Sequence, residues 1–138
     1  MIKTSEGDIT QCHADVIVNA ANTQNIHGGG VDFAIAQAAG AVYQRASNSA
    51  SGVPFGSYLV SPAGNLDAQA IIDVPTIDLT SGERISLSML EQVWNDVLAF
   101  CIANGYRSIA TPLLGAGVVG YDKAEILALL TNGAKKFP

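Results

Sequence analysis

Gly115-Ala116-Gly117-Val118-Val119-Gly120 spells G-x-G-x-x-G, a spacing that lets a backbone turn sharply and aim its N–H groups at phosphate oxygens. One use of that spacing is the dinucleotide-binding turn of NAD enzymes. Such a turn needs a strand before it, a helix after it and, about 20 residues on, an acidic residue ending a second strand. Here a β-rich Ile109-Ala110 precedes the glycines and a capped helix follows, but no second strand comes after that helix before Pro138. The loop also belongs to the last strand–helix unit rather than the first. The NAD-dehydrogenase reading fails, leaving an anion nest or a ligand-free structural turn on equal footing.

A second stretch shifts that balance. VNAANTQNIHGGGVDFAIAQAAG, residues 18–40, also leaves a β-rich run and enters a helix through Gly28-Gly29-Gly30. Two glycine loops at the carboxyl ends of strands, each leading to a helix N-terminus, can face each other across the crevice where open α/β sheets place ligands. Together they suit the two phosphates of a diphosphate. Asn19, Asn22 and Asn25 bring short amides suited to sugar hydroxyls. Asn25 is read as a turn former, as Asn commonly is; Asn22, nearer the strand end and the glycines, is read as a ligand contact.

The composition narrows the ligand further. Seven Lys and Arg against twelve Asp and Glu give a net charge of −5. A polymer backbone needs a basic face, so general nucleic-acid binding is disfavoured, whereas main-chain donors can hold one nucleotide's phosphates. At 49% hydrophobic and 14% charged, the 138 residues are expected to fold as one domain, 1–138, with a real core. Cys12 and Cys101 make no disulfide framework, no Cys/His cluster points to a metal, and Cys101 sits in the apolar surroundings of a buried thiol. Neither a leader peptide nor a bilayer-length apolar run is read, so no membrane association is expected and the cytoplasm is the default compartment.

The elements that would position these loops are short β-rich runs alternating with helical patterns. Val16–Val18, Tyr58–Val60, Ala70–Ile72 and Ile109-Ala110 are expected strands, with edge pairing at Ile2–Thr4 and Ile9-Thr10. Val31, Ala34, Ile35, Ala38 and Val42 recur as one helical stripe interrupted by Gly40, where a bend is expected. A second helix is expected to open on a Ser88-x-x-Glu91 capping box and stop at Gly105, and a third on Asp122-x-x-Glu125. The alternation predicts an α/β fold, a three-layer α/β/α sandwich around a mixed, largely parallel sheet.

GDIT at residues 7–10, DVIVNAAN at 15–22, HGGGVD at 27–32 and PLLGAGVVG at 112–120 resemble the signature segments of macro domains, and SPAGNL at 61–66 is similar to a further one. The match runs in order through roughly 130 residues. It is the pairing of NAAN with GGGVD that makes it specific. The resemblance implies the macro domain fold and ADP-ribose, free or attached to a protein, as the partner, with no cofactor.

By the same resemblance, Asp8 would accept a hydrogen bond from the adenine amino group with Ile9 beside the base, and Asn22 would contact the distal ribose. Gly29, Gly30 and Val31 match the first phosphate loop; Gly115, Ala116, Gly117 and Val118 match the second, with Val119 flanking the distal ribose. Asp32 matches the aspartate of the branch that hydrolyses ADP-ribosyl groups from protein carboxylates, where it would orient or deprotonate the attacking water with help from a substrate phosphate. Asn22 and Asp32 are thus the implied catalytic residues. Asp32 at a helix start also has a dipole explanation. Val119 stands where hydrolytic members usually carry Tyr or Phe, and Asp73 follows Ile71-Ile72 where many members continue with His. Asp32 favours de-ADP-ribosylation, Val119 a non-catalytic ADP-ribose reader. His27, in front of the glycines, is open between a packing residue and part of the site.

Overall fold

The computed structural model describes residues 2–50, 52–116 and 119–136. Gly117 and Val118, expected in the second phosphate loop, lie outside the described residues. The elements run β1 (Val16–Asn22), α1 (Gly30–Ala39), α2 (Ala41–Ser49), β2 (Leu59–Pro62), β3 (Ala70–Ile77), α3 (Leu87–Ala103), β4 (Ile109–Ala110) and α4 (Lys123–Ala134). The sheet order is β2-β3-β1-β4. β1 runs parallel to β3 and β4, while β2 is antiparallel to β3.

Side-chain alternation along β1 and β3 assigns each face its helices. Val16, Val18, Ile72 and Val74 pack under α3 and α4 with Leu90, Val93, Trp94, Val97 and Ile126. Ile17 and Ile71 point the other way, onto Ile35, Ala36 and Ala39 of α1 and Tyr43 of α2. This is the expected α/β/α sandwich around a mixed sheet. Cys101 is buried as expected, and burial pushes its thiol up to about 11.

Several local expectations change. No strand forms at 2–4, and Ile9–Gln11 is a 3-10 turn capped by Asp8, whose side chain accepts from Thr10 N–H, rather than edge pairing. The single stripe through Val42 becomes two helices because Gly40, at φ +86, ends α1 and starts α2. The buried face of α1 is accordingly Asp32, Ile35, Ala36 and Ala39, while Val31, Ala34 and Val42 are exposed. α3 begins two residues before the expected box: Ser86, not Ser88, is the cap and accepts from Met89 N–H at 3.2 Å. α4 does open on Asp122, which accepts from Glu125 N–H.

The candidate ligand cleft

A cleft of about 550 Å³ opens where the parallel strands end. It is lined from segments 20–22, 28–32, 76–79 and 112–115, with Ile26 and Val119. Parallel pairing of β1 with its two neighbours brings these loops to the same edge of the sheet, as the crevice argument requires. Of the residues singled out in the sequence, Asn22, Gly29, Gly30, Val31, Asp32, Gly115 and Val119 all line this one cleft. Asp8, Ile9 and Ala116 are not among its lining residues: Asp8 caps the 3-10 turn whose Ile9 packs on the α1 side, and Ala116 packs toward the α3/α4 core. Two hydrogen bonds from Thr10, the hydroxyl first and then the N–H, hold the exposed Asp8 carboxyl below its ordinary value.

The first loop is built to present donors. Phe33 N–H reaches Gly29 O at 3.2 Å, the first bond of α1. The N–H groups of Gly30, Val31 and Asp32 therefore precede any intrahelical partner and add the positive end of the helix dipole at the cleft. Gly30 takes φ +61, a left-handed conformation that glycine adopts without cost. Asn22 folds its amide back onto the loop: Ile26 N–H donates to its Oδ1 at 3.0 Å and its Nδ2 donates to Ile26 O at 2.6 Å. One amide hydrogen of Asn22 is left over.

The second loop is fixed from below. Tyr121 N–H donates to Gly115 O at 2.9 Å, and the Tyr121 hydroxyl donates to Ile85 O at 2.6 Å, so its ring anchors the loop. Arg84 lies 4.4 Å over that ring and donates to Val119 O at 3.3 Å. Gly115 takes φ +83, and a Cβ there would meet the Tyr121 ring at 3.2 Å.

Beneath the first loop lies a buried polar network. On the α1/α2 face of the sheet the row Ile17/Ile71 continues as Asn19/Asp73, which are direct register partners. Asn19 Nδ2 donates to Asp73 Oδ1 and to Asp32 Oδ1, each at 2.9 Å, and the Tyr43 hydroxyl donates to Asp73 Oδ1 at 2.7 Å. His27 Nδ1 meets Asp32 Oδ1 at 2.6 Å while its Nε2 meets Ser47 Oγ at 3.0 Å. Asp32 is only 6% exposed, and its Oδ2 has no protein partner.

The electrostatics follow from that packing. The bond to Asp32 raises His27 above its ordinary value against the opposing effect of burial, with the Asp32 and Asp73 charges adding. Burial raises Asp73 despite its bonds to Tyr43 and Asn19, and burial beside Asp73 raises the Tyr43 phenol. Asn19, Tyr43, Ser47 and Asp73 were not singled out as one group by sequence reasoning. The available signal was a polar residue inside an otherwise apolar strand, Asn19 in VIVNAAN and Asp73 in AIIDVPTI, both of which are fully buried. Among the described residues no three His, Cys, Asp or Glu side chains cluster as metal ligands, and no helix is long and apolar enough to cross a membrane.

Comparison with known proteins places this geometry. The sequence model of the family described as Macro domain matches residues 18–130. The chain is 36% identical over 140 aligned positions to the O-acetyl-ADP-ribose deacetylase of Citrobacter koseri, covering 99% of this chain and 79% of that protein. It is 40% identical over 135 positions to the protein of the same name from Klebsiella pneumoniae, covering 95% and 77%. Among solved structures, the Trypanosoma brucei macrodomain in complex with ADP-ribose superposes with a TM-score of 0.82 at 29% identity over 94% of this chain. This chain spans 54% of that longer one. The Oceanobacillus iheyensis macrodomain with ADP gives 0.82 at 28% identity, covering 95% of this chain and 73% of that one.

Proposed function

This chain belongs to the macro domain family, and from that premise we propose that it binds ADP-ribose and hydrolyses acyl esters of it or mono-ADP-ribosyl groups from modified proteins. Its relatives carry the name O-acetyl-ADP-ribose deacetylase, and related macrodomain structures hold ADP and ADP-ribose. The first glycine loop and the start of α1 hold the diphosphate through main-chain N–H groups, which lets an acidic protein accept a dianion. Gly115, at the start of the second glycine loop, lines the same cleft and meets the diphosphate there. Asp8 accepts from the adenine amino group with Ile9 beside the base. The remaining amide hydrogen of Asn22 meets a hydroxyl of the distal ribose.

The observation that carries hydrolysis is Asp32. One of its oxygens is fixed by His27 and Asn19, and the other, Oδ2, lies at a cleft-lining residue without a protein partner. Oδ2 is closed off from solvent by the protein around it, so a turn of the side chain toward the cleft brings it to a water, which a carboxylate can hold and relieve of a proton. For an acyl ester, that water adds to the carbonyl carbon, the bond to the ribose oxygen breaks and that oxygen takes a proton. For a carboxylate-linked ADP-ribosyl group, it adds to the anomeric carbon and the carboxylate leaves.

A non-catalytic reader is the second reading, and Val119 favours it, because a valine supplies no ring face to position the ribose. Incubation with O-acetyl-ADP-ribose and with mono-ADP-ribosylated protein, beside a calorimetric titration of ADP-ribose, separates the two. Micromolar binding, about −8 kcal/mol, with release of free ADP-ribose is expected. Binding without release from either substrate assigns the reader.

A further inference from the structure

Of three exposed aliphatic residues that line the cleft, Val31 belongs to the first phosphate loop, and the other two, Ile26 and Leu79, stand on ordered main chain. Ile26 is 53% and Leu79 50% exposed, and both line the cleft. Single exposed aliphatics are ordinary, but these two belong to neighbouring loops joined by the bond from Thr23 N–H to Ile77 O at 3.0 Å. Each is fixed through its own main chain. Asn22 clamps the N–H and carbonyl of Ile26, and Gln24 Oε1 accepts from Leu79 N–H at 2.9 Å. Gln24 Nε2 reaches Asp78 Oδ1 at 2.8 Å, and Asp78 in turn receives the N–H groups of Thr80 and Ser81. The Asp78 carboxylate is thus turned into its own loop. Ile26 and Leu79 present only hydrocarbon to the cleft, and the Asp78 carboxylate beside Leu79 is engaged within its own loop, so an apolar group suits this end.

We propose that Ile26 and Leu79 form a subsite for the hydrocarbon chain of an acyl group esterified to the distal ribose, so that esters longer than acetyl are preferred. This rests on the reading of the cleft as an ADP-ribose site with Asn22 at the distal ribose. An acetyl group brings one methyl. Two side chains, one on each loop, offer further methylenes an apolar ledge, and the Asn22 and Gln24 clamps have already ordered the main chain that carries them. The reaction is the same as for acetyl: water adds to the ester carbonyl, the ribose oxygen leaves with a proton, and a fatty acid and ADP-ribose are released. The chain itself is not altered.

The test is a series of acetyl, propanoyl, butanoyl and hexanoyl esters of ADP-ribose with the full chain. Both kcat/KM and the displacement of bound ADP-ribose are measured for each. A fully buried methylene is worth about fourfold, so a half-buried one gives roughly twofold per carbon. Leu79→Ser and Ile26→Thr, each at an exposed side chain, should flatten that slope, with the melting curve confirming the fold. A flat or falling series in the wild type, while ADP-ribose still binds, overturns the proposal, as does a slope that survives both substitutions. Affinity that rises with chain length while no ester is cleaved keeps the ledge and removes the hydrolase. Failure to bind ADP-ribose at all removes both. A flat acyl series alongside tighter binding of ADP-ribosylated peptides with Leu or Ile next to the modified residue assigns the ledge to a protein ligand and overturns the acyl assignment.

Discussion

The two oxygens of Asp32 keep unequal company, and the inequality sets what each substitution should do. Removing the carboxylate in Asp32→Ala should lower release of ADP-ribose by about 10²-fold or more, the usual cost of losing a positioned base. ADP-ribose binding, followed by calorimetry, should change far less, because main-chain N–H groups remain to hold the phosphates. His27 gives the pH dependence. Its value is raised in the fold by the bond to Asp32, so the protonated imidazole stabilises fully below its ordinary 6.5 and that stability is lost as pH climbs through the raised value. The gap in Tm between wild type and His27→Ala should therefore shrink from pH 6 to pH 9; a constant gap would show that no ion pair is present. Asp73 has the same sign for a different reason. Burial raises it, so the fold loses stability as pH rises from 3.8, and Asp73→Asn should raise Tm at neutral pH. That Gly29, Gly30, Asp32 and Gly115 come to one cleft is legible in the sequence, because each loop follows a strand end. The ring of Asn19, Tyr43 and Asp73 is not, since Asn19 and Asp73 are 54 positions apart and meet only through strand register.

At the scale of elements, the junction between α1 and α2 fixes where α1 ends. Gly40 breaks the helix, and the turn at residues 63–66 closes over the break, with Asn65 N–H donating to Ala39 O at 2.8 Å. Gly64, at φ +60, comes so near that a Cβ would collide with the Ala39 carbonyl oxygen. Gly64→Ala should cost about 3 kcal/mol or more, from strain plus collision, and lower Tm by roughly 10 °C. Gly82→Ala is the control: its φ of +75 is also strained, but the space around it is open, so about 1 kcal/mol is expected. Thermal melts of both variants decide whether the collision matters. The helical period across residues 31–42 was legible, but its buried side was not. Phase depends on where a helix starts and stops, and here a left-handed glycine resets it. The Ser86 cap was missed for a similar reason: Ser86 and Ser88 are both plausible caps by type, and the fold selects the first.

For the molecule as a whole, charge and site pull in different directions. A chain of net charge −5 that binds a dianion through N–H dipoles gains little from long-range attraction. Its ADP-ribose affinity should accordingly fall by less than about twofold between 50 and 500 mM salt, unlike that of a protein relying on Lys and Arg. Calorimetry across a salt series checks this, and a tenfold loss would mean that cationic side chains do the holding. The layered α/β architecture was readable at this scale because strand and helix periods alternate along the chain. The sheet order was not, since it depends on pairing between distant segments.

The same distance between segments has a consequence for how the protein responds to its surroundings. The cleft is assembled from three stretches of chain, represented by Asn22 and Asp32, by Leu79, and by Gly115, which are neighbours only in the native chain. Whatever ligand it takes is bound by the folded state alone, and mass action then shifts the unfolding equilibrium by about 2.7 kcal/mol when free ligand stands at a hundred times its Kd. The melting temperature thus reports occupancy, and rising ligand shrinks the fraction of molecules open to proteases. The lifetime of this chain would then track the supply of the molecule it binds.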